Sequence, residues 1–210
     1  MTPLTRRATA EYRRATAAQR EAGARWYLEA HEIARDQAGE HGVTIEIAAG
    51  ILAATSPRLG WGGNVMLAER MLASGGSLDH GALGRSLQQA RHIYHGEDPL
   101  LVLGGPKTRA FYSAILTAGE SPDAVIDRHA WDMLVGDRQA TPPTRKQYAA
   151  AAECMRRAAC IFGTTVHSMQ QRHGWYGGAG SGRRRPSTTG LRRPWKGRGN
   201  GEPGRAAVSR

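Results

Sequence analysis

The chain is poor in the features that staple or anchor a protein. Only two cysteines, Cys154 and Cys160, occur in 210 residues. Two cannot build a disulfide framework, which points to a reducing compartment. No apolar run approaches the ~18 residues of a membrane helix, and the first residues hold no apolar stretch of the signal-peptide kind. A soluble, intracellular, cytoplasmic protein is expected. Alternating strand-like runs with hairpin turns are also missing, as is any internal repeat. Acidic residues are few, 18 against 29 Lys and Arg, but the deficit is uneven. Residues 176–210 carry nine basic residues and one acid, Glu202, leaving 20 basic and 17 acidic residues before them. The part able to fold is therefore only mildly basic. Net charge bears on partners rather than on fold, and a basic tail favours a polyanion such as nucleic acid.

What is present is helical periodicity. The length suits one domain with a sizeable core. Residues 1–19 are rich in Ala, Arg and Thr with few large apolar groups, and read as an N-terminal extension, either an exposed helix or frayed. Trp26, Tyr27, Ile33 and Ala34 fall at helical spacing, with Gly42 as a stop. The stretch "VTIEIAAGILAATSP" begins like a strand, but Ile47, Ile51 and Leu52 share a helical face, with Thr44 as a cap and an end before Pro57. Val65, Leu67, Met71 and Leu72 mark another helix. Leu83, Leu87, Ala90 and Ile93 mark the next, stopped by Gly96. Helices are expected over 107–116 and 128–135, with a loop or short extended segment between them. A further helix starts near Pro143 and runs to Gly163, and a last short one is capped by Thr164 or Thr165. The fold class is all-α, a compact bundle of short helices joined by short loops. The helical domain spans residues 20–175. Residues 176–210, rich in Gly, Arg, Pro and Ser, form a tail expected to be disordered.

Cys154, Cys160, His167 and His173 raise the question of zinc. Zinc sites favour cysteine pairs two to four residues apart. Six positions along a helix turn the second thiol ~240° from the first. No metal and no cofactor are expected.

The centre of the chain carries the chemistry. In "LGGPKTRAFYSAI" a Gly-Gly-Pro turn runs into Lys107, and twenty residues on, "AVIDRHAW" places Asp127 after an apolar run and before His129. Upstream stands "IAAGILAATSPRLGW". In this order and spacing the segments resemble the helix-hairpin-helix DNA glycosylases, the superfamily of endonuclease III and oxoguanine glycosylase. The resemblance runs over about residues 45–135. It implies a helix-hairpin-helix element with Gly104 and Gly105 in the hairpin, Lys107 as the lysine of the bifunctional members and Asp127 as the catalytic aspartate. Arg58 stands where those enzymes often carry Gln against the opened DNA. The hairpin departs from the usual "P-G-V-G", because Pro106 removes one backbone N–H that such a turn points at a phosphate. The four-cysteine iron–sulfur loop of many members is missing, which makes the chain similar to shorter phage-type relatives.

The chemistry stands without the family. Breaking an N-glycosidic bond builds positive charge on the sugar, which a nearby carboxylate stabilises. An amine at a helix start, where the macrodipole disfavours a cation, is a candidate nucleophile. A base inside a duplex must be flipped out, which calls for a wedge and a pocket. Trp61, Trp131, Tyr112 and Arg58 are candidates, with Arg58 and Trp61 in a loop free to project. Arg109 and His129 join Gly104, Gly105, Arg58 and Trp61 as candidate DNA contacts. The competing plain role for Asp127 is the N-cap of the helix that follows, and both roles are compatible. The expectation is a monomeric DNA-base-processing enzyme, a glycosylase with or without lyase activity on a modified or damaged base. The alternatives are group transfer in thymine hypermodification and a non-catalytic DNA-binding module.

Overall fold

The computed structural model describes residues 1–137 and 140–170. The tail over residues 176–210 and His173 lie outside the described residues. All regular structure among the described residues is helical, as the periodicity predicts.

Two apolar cores organise the chain. The first surrounds α3 (Ile45–Thr55), capped by Thr44, whose hydroxyl accepts from Ile47 N–H. This helix has no polar face, so it must be covered on all sides. Its residues from Ala48 to Thr55 are all buried. Around it lie α2 (Ala17–His41), α4 (Trp61–Ala73), α5 (Gly84–Tyr94), the short α6 (Pro99–Val102) and α7 (Pro106–Leu116). The stop at Gly42 holds. It takes the left-handed conformation at φ 63° and donates to Ala38 O.

Gly50 lets this core close. A Cβ there would stand 2.9 Å from Ile93 Cγ2 and 2.9 Å from Pro99 Cγ. Neither atom ends a flexible side chain. Gly50→Ala is therefore expected to destabilise the fold by about 1–3 kcal/mol through overpacking, although alanine is intrinsically the better helix former by about 1 kcal/mol. Urea unfolding of the two proteins measures the difference.

The second core gathers α1 (Pro3–Arg14), α8 (Arg128–Val135), α9 (Arg145–Ile161) and α10 (Val166–Gln170). Here the reading of residues 1–19 as an exposed or frayed extension is corrected. Thr2 caps α1, and Thr5, Ala8, Thr9 and Tyr12 are buried. The few large apolar groups misled, because small residues let α1 approach α9 closely. Tyr12 meets the ring of Phe162 at 4.6 Å, and Thr2 Oγ1 lies 3.2 Å from Cys154 Sγ. Two smaller differences follow. The cap of α9 is Thr144 with a Gln147 capping box, so Pro143 precedes the helix. The apolar Leu83 is exposed at the start of α5.

Between α7 and α8 the chain is neither helix nor strand over residues 124–126. Val125 belongs to the first core, and Ala124 and Ile126 belong to the second. The segment thus threads the seam between the cores and delivers Asp127 at its end.

Candidate functional site

Asp127 is the N-cap of α8, and its Oδ1 accepts from Ala130 N–H at 2.7 Å. Desolvation raises its carboxyl above the ordinary aspartate value, opposed by that hydrogen bond and by the charges of Lys107 and His129. The capping role is therefore real. It also fixes one carboxylate oxygen and leaves the group half-buried on a cleft wall.

The cleft, of about 280 Å³, lies on the seam. Lys107 and Phe111 reach it from α7, and Asp127, Arg128 and His129 from the start of α8. Ser56, Arg58, Leu59, Gly60, Trp61 and Asn64 complete it from the α3–α4 loop and the first turn of α4. Lys107 and Asp127, twenty residues apart in sequence, thus face one space. The lysine charge acts on the carboxylate, yet no ion pair forms between them among the described residues. The first turns of α4, α7 and α8 supply Trp61, Lys107 and Arg128 to this wall. Those of α4 and α7 have Gly60 and Gly105 as N-caps, with no side-chain cap bond. Arg58 and Lys107 thus give the cleft positive charge beside one desolvated carboxylate, while Arg128 is ion-paired with Asp132 at 2.9 Å.

The loop "SPRLGW" differs from expectation. Arg58 is exposed on the cleft, with its backbone in the left-handed region at φ 67°, which is uncommon for a residue with a Cβ. Trp61 does not project. It is the first residue of α4 and is packed, with ring centroids 4.9 Å from Trp26 and 6.3 Å from Phe111. Half-buried against these rings, it forms an aromatic wall of the cleft. Tyr112 and Trp131 do not line the cleft at all. Both are buried in the cores, and Trp131 Nε1 donates to Thr141 O.

The turn residues also lie outside the cleft lining. Leu103 is fully buried and anchors the turn. Arg109 Nε donates to Leu103 O at 2.7 Å, so this arginine closes the turn. A side chain on Gly104 would run into the Arg85 guanidinium. Gly104 and Arg109 are exposed beside the cleft. His129 is exposed and lines it.

Asn64 escaped the sequence reading. It is only 1% exposed, donates to Leu52 O at 2.9 Å and accepts from Thr55 Oγ1 at 2.7 Å. It ties the end of α3 to the start of α4 at the cleft floor. The available signal was its register, four residues before Ala68 and seven before Met71, where a polar group interrupts an apolar stripe. No group of His, Cys, Asp or Glu suited to a metal ion occurs among the described residues, and none of their helices is long and apolar enough to cross a membrane.

Residues 1–175 match a family of unknown function, DUF7178, and the chain belongs to that family. The match takes in both cores, α1 included. No curated protein and no solved structure matches the chain.

Proposed function

We propose that the chain is a DNA-base-processing enzyme that breaks an N-glycosidic bond at a flipped nucleotide. The observation that carries this reading is one desolvated, half-fixed carboxylate facing Lys107 across a cleft with an aromatic wall and a cationic rim. The resemblance to the helix-hairpin-helix glycosylases supports the same assignment of Asp127 and Lys107. The short α6, the Gly104–Gly105 turn and α7 stand for the hairpin element of that superfamily.

In this reading the phosphates meet Arg58 and Arg128, and the flipped base lies along Trp61 and Phe111. The bond from C1′ to the base nitrogen breaks, and its electron pair leaves with the base. Positive charge grows on the sugar beside Asp127, which stabilises it. Water then bonds to C1′ and gives up a proton to the carboxylate. In the lyase branch neutral Lys107 Nζ attacks C1′ instead and gives up a proton; the C1′–O4′ bond then breaks, O4′ takes a proton, and the opened sugar is left as a Schiff base on the lysine.

Borohydride trapping on a panel of duplexes with modified or damaged bases tests the reading. A covalent adduct is expected with the wild type and is expected to vanish in Lys107→Gln, while slow base release by water persists. An undiminished adduct in Lys107→Gln places the amine elsewhere. Absence of base release on every duplex, with turnover only of an activated thymine in the presence of an amine donor, selects group transfer instead.

A further inference from the structure

We infer that Tyr148 and Gln170 are positioning residues for Asp127, gripping the backbone of residues 124–126 so that the carboxylate is held in the cleft. The inference rests on the reading of Asp127 as the reacting carboxylate.

That segment has neither helix nor sheet to satisfy its backbone polar groups, and such groups need partners when buried. Two side chains supply them. Tyr148 Oη, from α9, donates to Ala124 O at 2.9 Å and accepts from Ile126 N–H at 3.1 Å. Gln170, the last residue of α10, donates through Nε2 to Val125 O at 2.8 Å and accepts at Oε1 from Val125 N–H at 3.2 Å. The glutamine amide thus does for Val125 what a neighbouring strand would do. Asp127 N–H also donates to Val125 O, at 3.1 Å. The carbonyl that orients the aspartate backbone is therefore the one Gln170 holds. Burial pushes the Tyr148 phenol up to about 12, so it stays a neutral donor.

A helix cap alone requires none of this, because an aspartate caps through its own side chain. Loops usually leave such groups to water. Four backbone groups satisfied by two side chains from two other helices, Gln170 buried and Tyr148 half-buried, give the rigidity a reacting group needs, where a shift of about 1 Å costs on the order of 100-fold in rate.

The test uses the full chain with carbon-13 NMR titration of the Asp127 carboxyl, alongside base-release kinetics. Besides Asp127, the charged groups on its cleft are Lys107, His129, Arg58 and Arg128, the last paired with Asp132, and Asp123 lies near Tyr148. Tyr148→Phe keeps the ring and removes both hydrogen bonds. Its Asp127 titration is expected to move down toward the ordinary carboxylate range, because a displaced carboxylate regains water. The kcat is expected to fall about 10- to 100-fold with KM within about twofold. Gln170→Met is expected to do the same, and reads the inference if Tyr148→Phe does not fold. An unchanged Asp127 titration in a folded variant overturns the inference, whatever happens to activity. Two variants that both unfold make the contacts purely structural and overturn it too. A wild type that releases no base from any duplex sinks the glycosidic reading alone, and the titration still decides the clamp.

Discussion

Asp127→Asn is expected to lower base release by about 100- to 1000-fold, the effect of losing about 3–4 kcal/mol of transition-state stabilisation by one electrostatic contact. The fold should survive. Asparagine caps a helix as well as aspartate does, and its side-chain oxygen replaces the one that accepts from Ala130 N–H. Binding to duplex DNA should hold or tighten, since a negative charge is removed from a wall otherwise lined by Arg58, Lys107 and Arg128. Single-turnover kinetics with a parallel binding titration separates these effects. A variant that binds and turns over like the wild type leaves Asp127 as a cap alone. Arg58, exposed on the same cleft in a strained backbone conformation, is then the next residue to replace.

Acid should unfold the protein through His167. This histidine is 1% exposed, and neither ring nitrogen has a hydrogen-bond partner among the described residues. Desolvation pushes its pKa from 6.5 down to about 4, which the nearby Ser121 backbone only partly offsets. Between these values the unfolded chain takes up a proton that the folded chain refuses. Stability is thus fully present above about pH 6.5, falls as pH drops through the window and levels off below about 4. The loss is expected to reach about 2 kcal/mol by pH 5 and about 3 kcal/mol by pH 4. His167→Met, similar in volume and unable to titrate, should flatten this dependence. It should match or exceed wild-type stability at neutral pH, because it also removes two buried polar atoms lacking partners. Urea unfolding at stepped pH gives the comparison, and equal slopes for the two proteins would clear His167 of any part in acid unfolding.

Much of the helical layout was legible because caps and stops act over three or four residues. Thr44, Asp127 and Gly42 each serve the helix end that their sequence neighbours imply, since the groups they satisfy lie within one turn. The loop before Asp127 and the run of α8 were readable for the same reason. Pairing Lys107 with Asp127 came from resemblance and spacing, and the cleft places both side chains on one space.

Contacts between distant segments were not legible. Nothing local in residues 1–19 announces that α1 is part of the second core, because burial of small residues depends on how closely α9 approaches. Trp61 in a Gly-rich stretch looked free to project, and only its packing against the rings of Trp26 and Phe111 makes it a wall. Arg109 reads as a phosphate contact in the sequence, and only the turn shows that its Nε also donates to Leu103 O. Asn64, Tyr148 and Gln170 carry no pattern of their own. Gln170 meets Val125 across 45 positions and Tyr148 meets Ile126 across 22. Local sequence determined where the helices begin and end, because each backbone group at a helix end is satisfied from nearby. The tertiary packing decided what faces the cleft and what holds Asp127 there, because those choices depend on segments that meet only when both cores close.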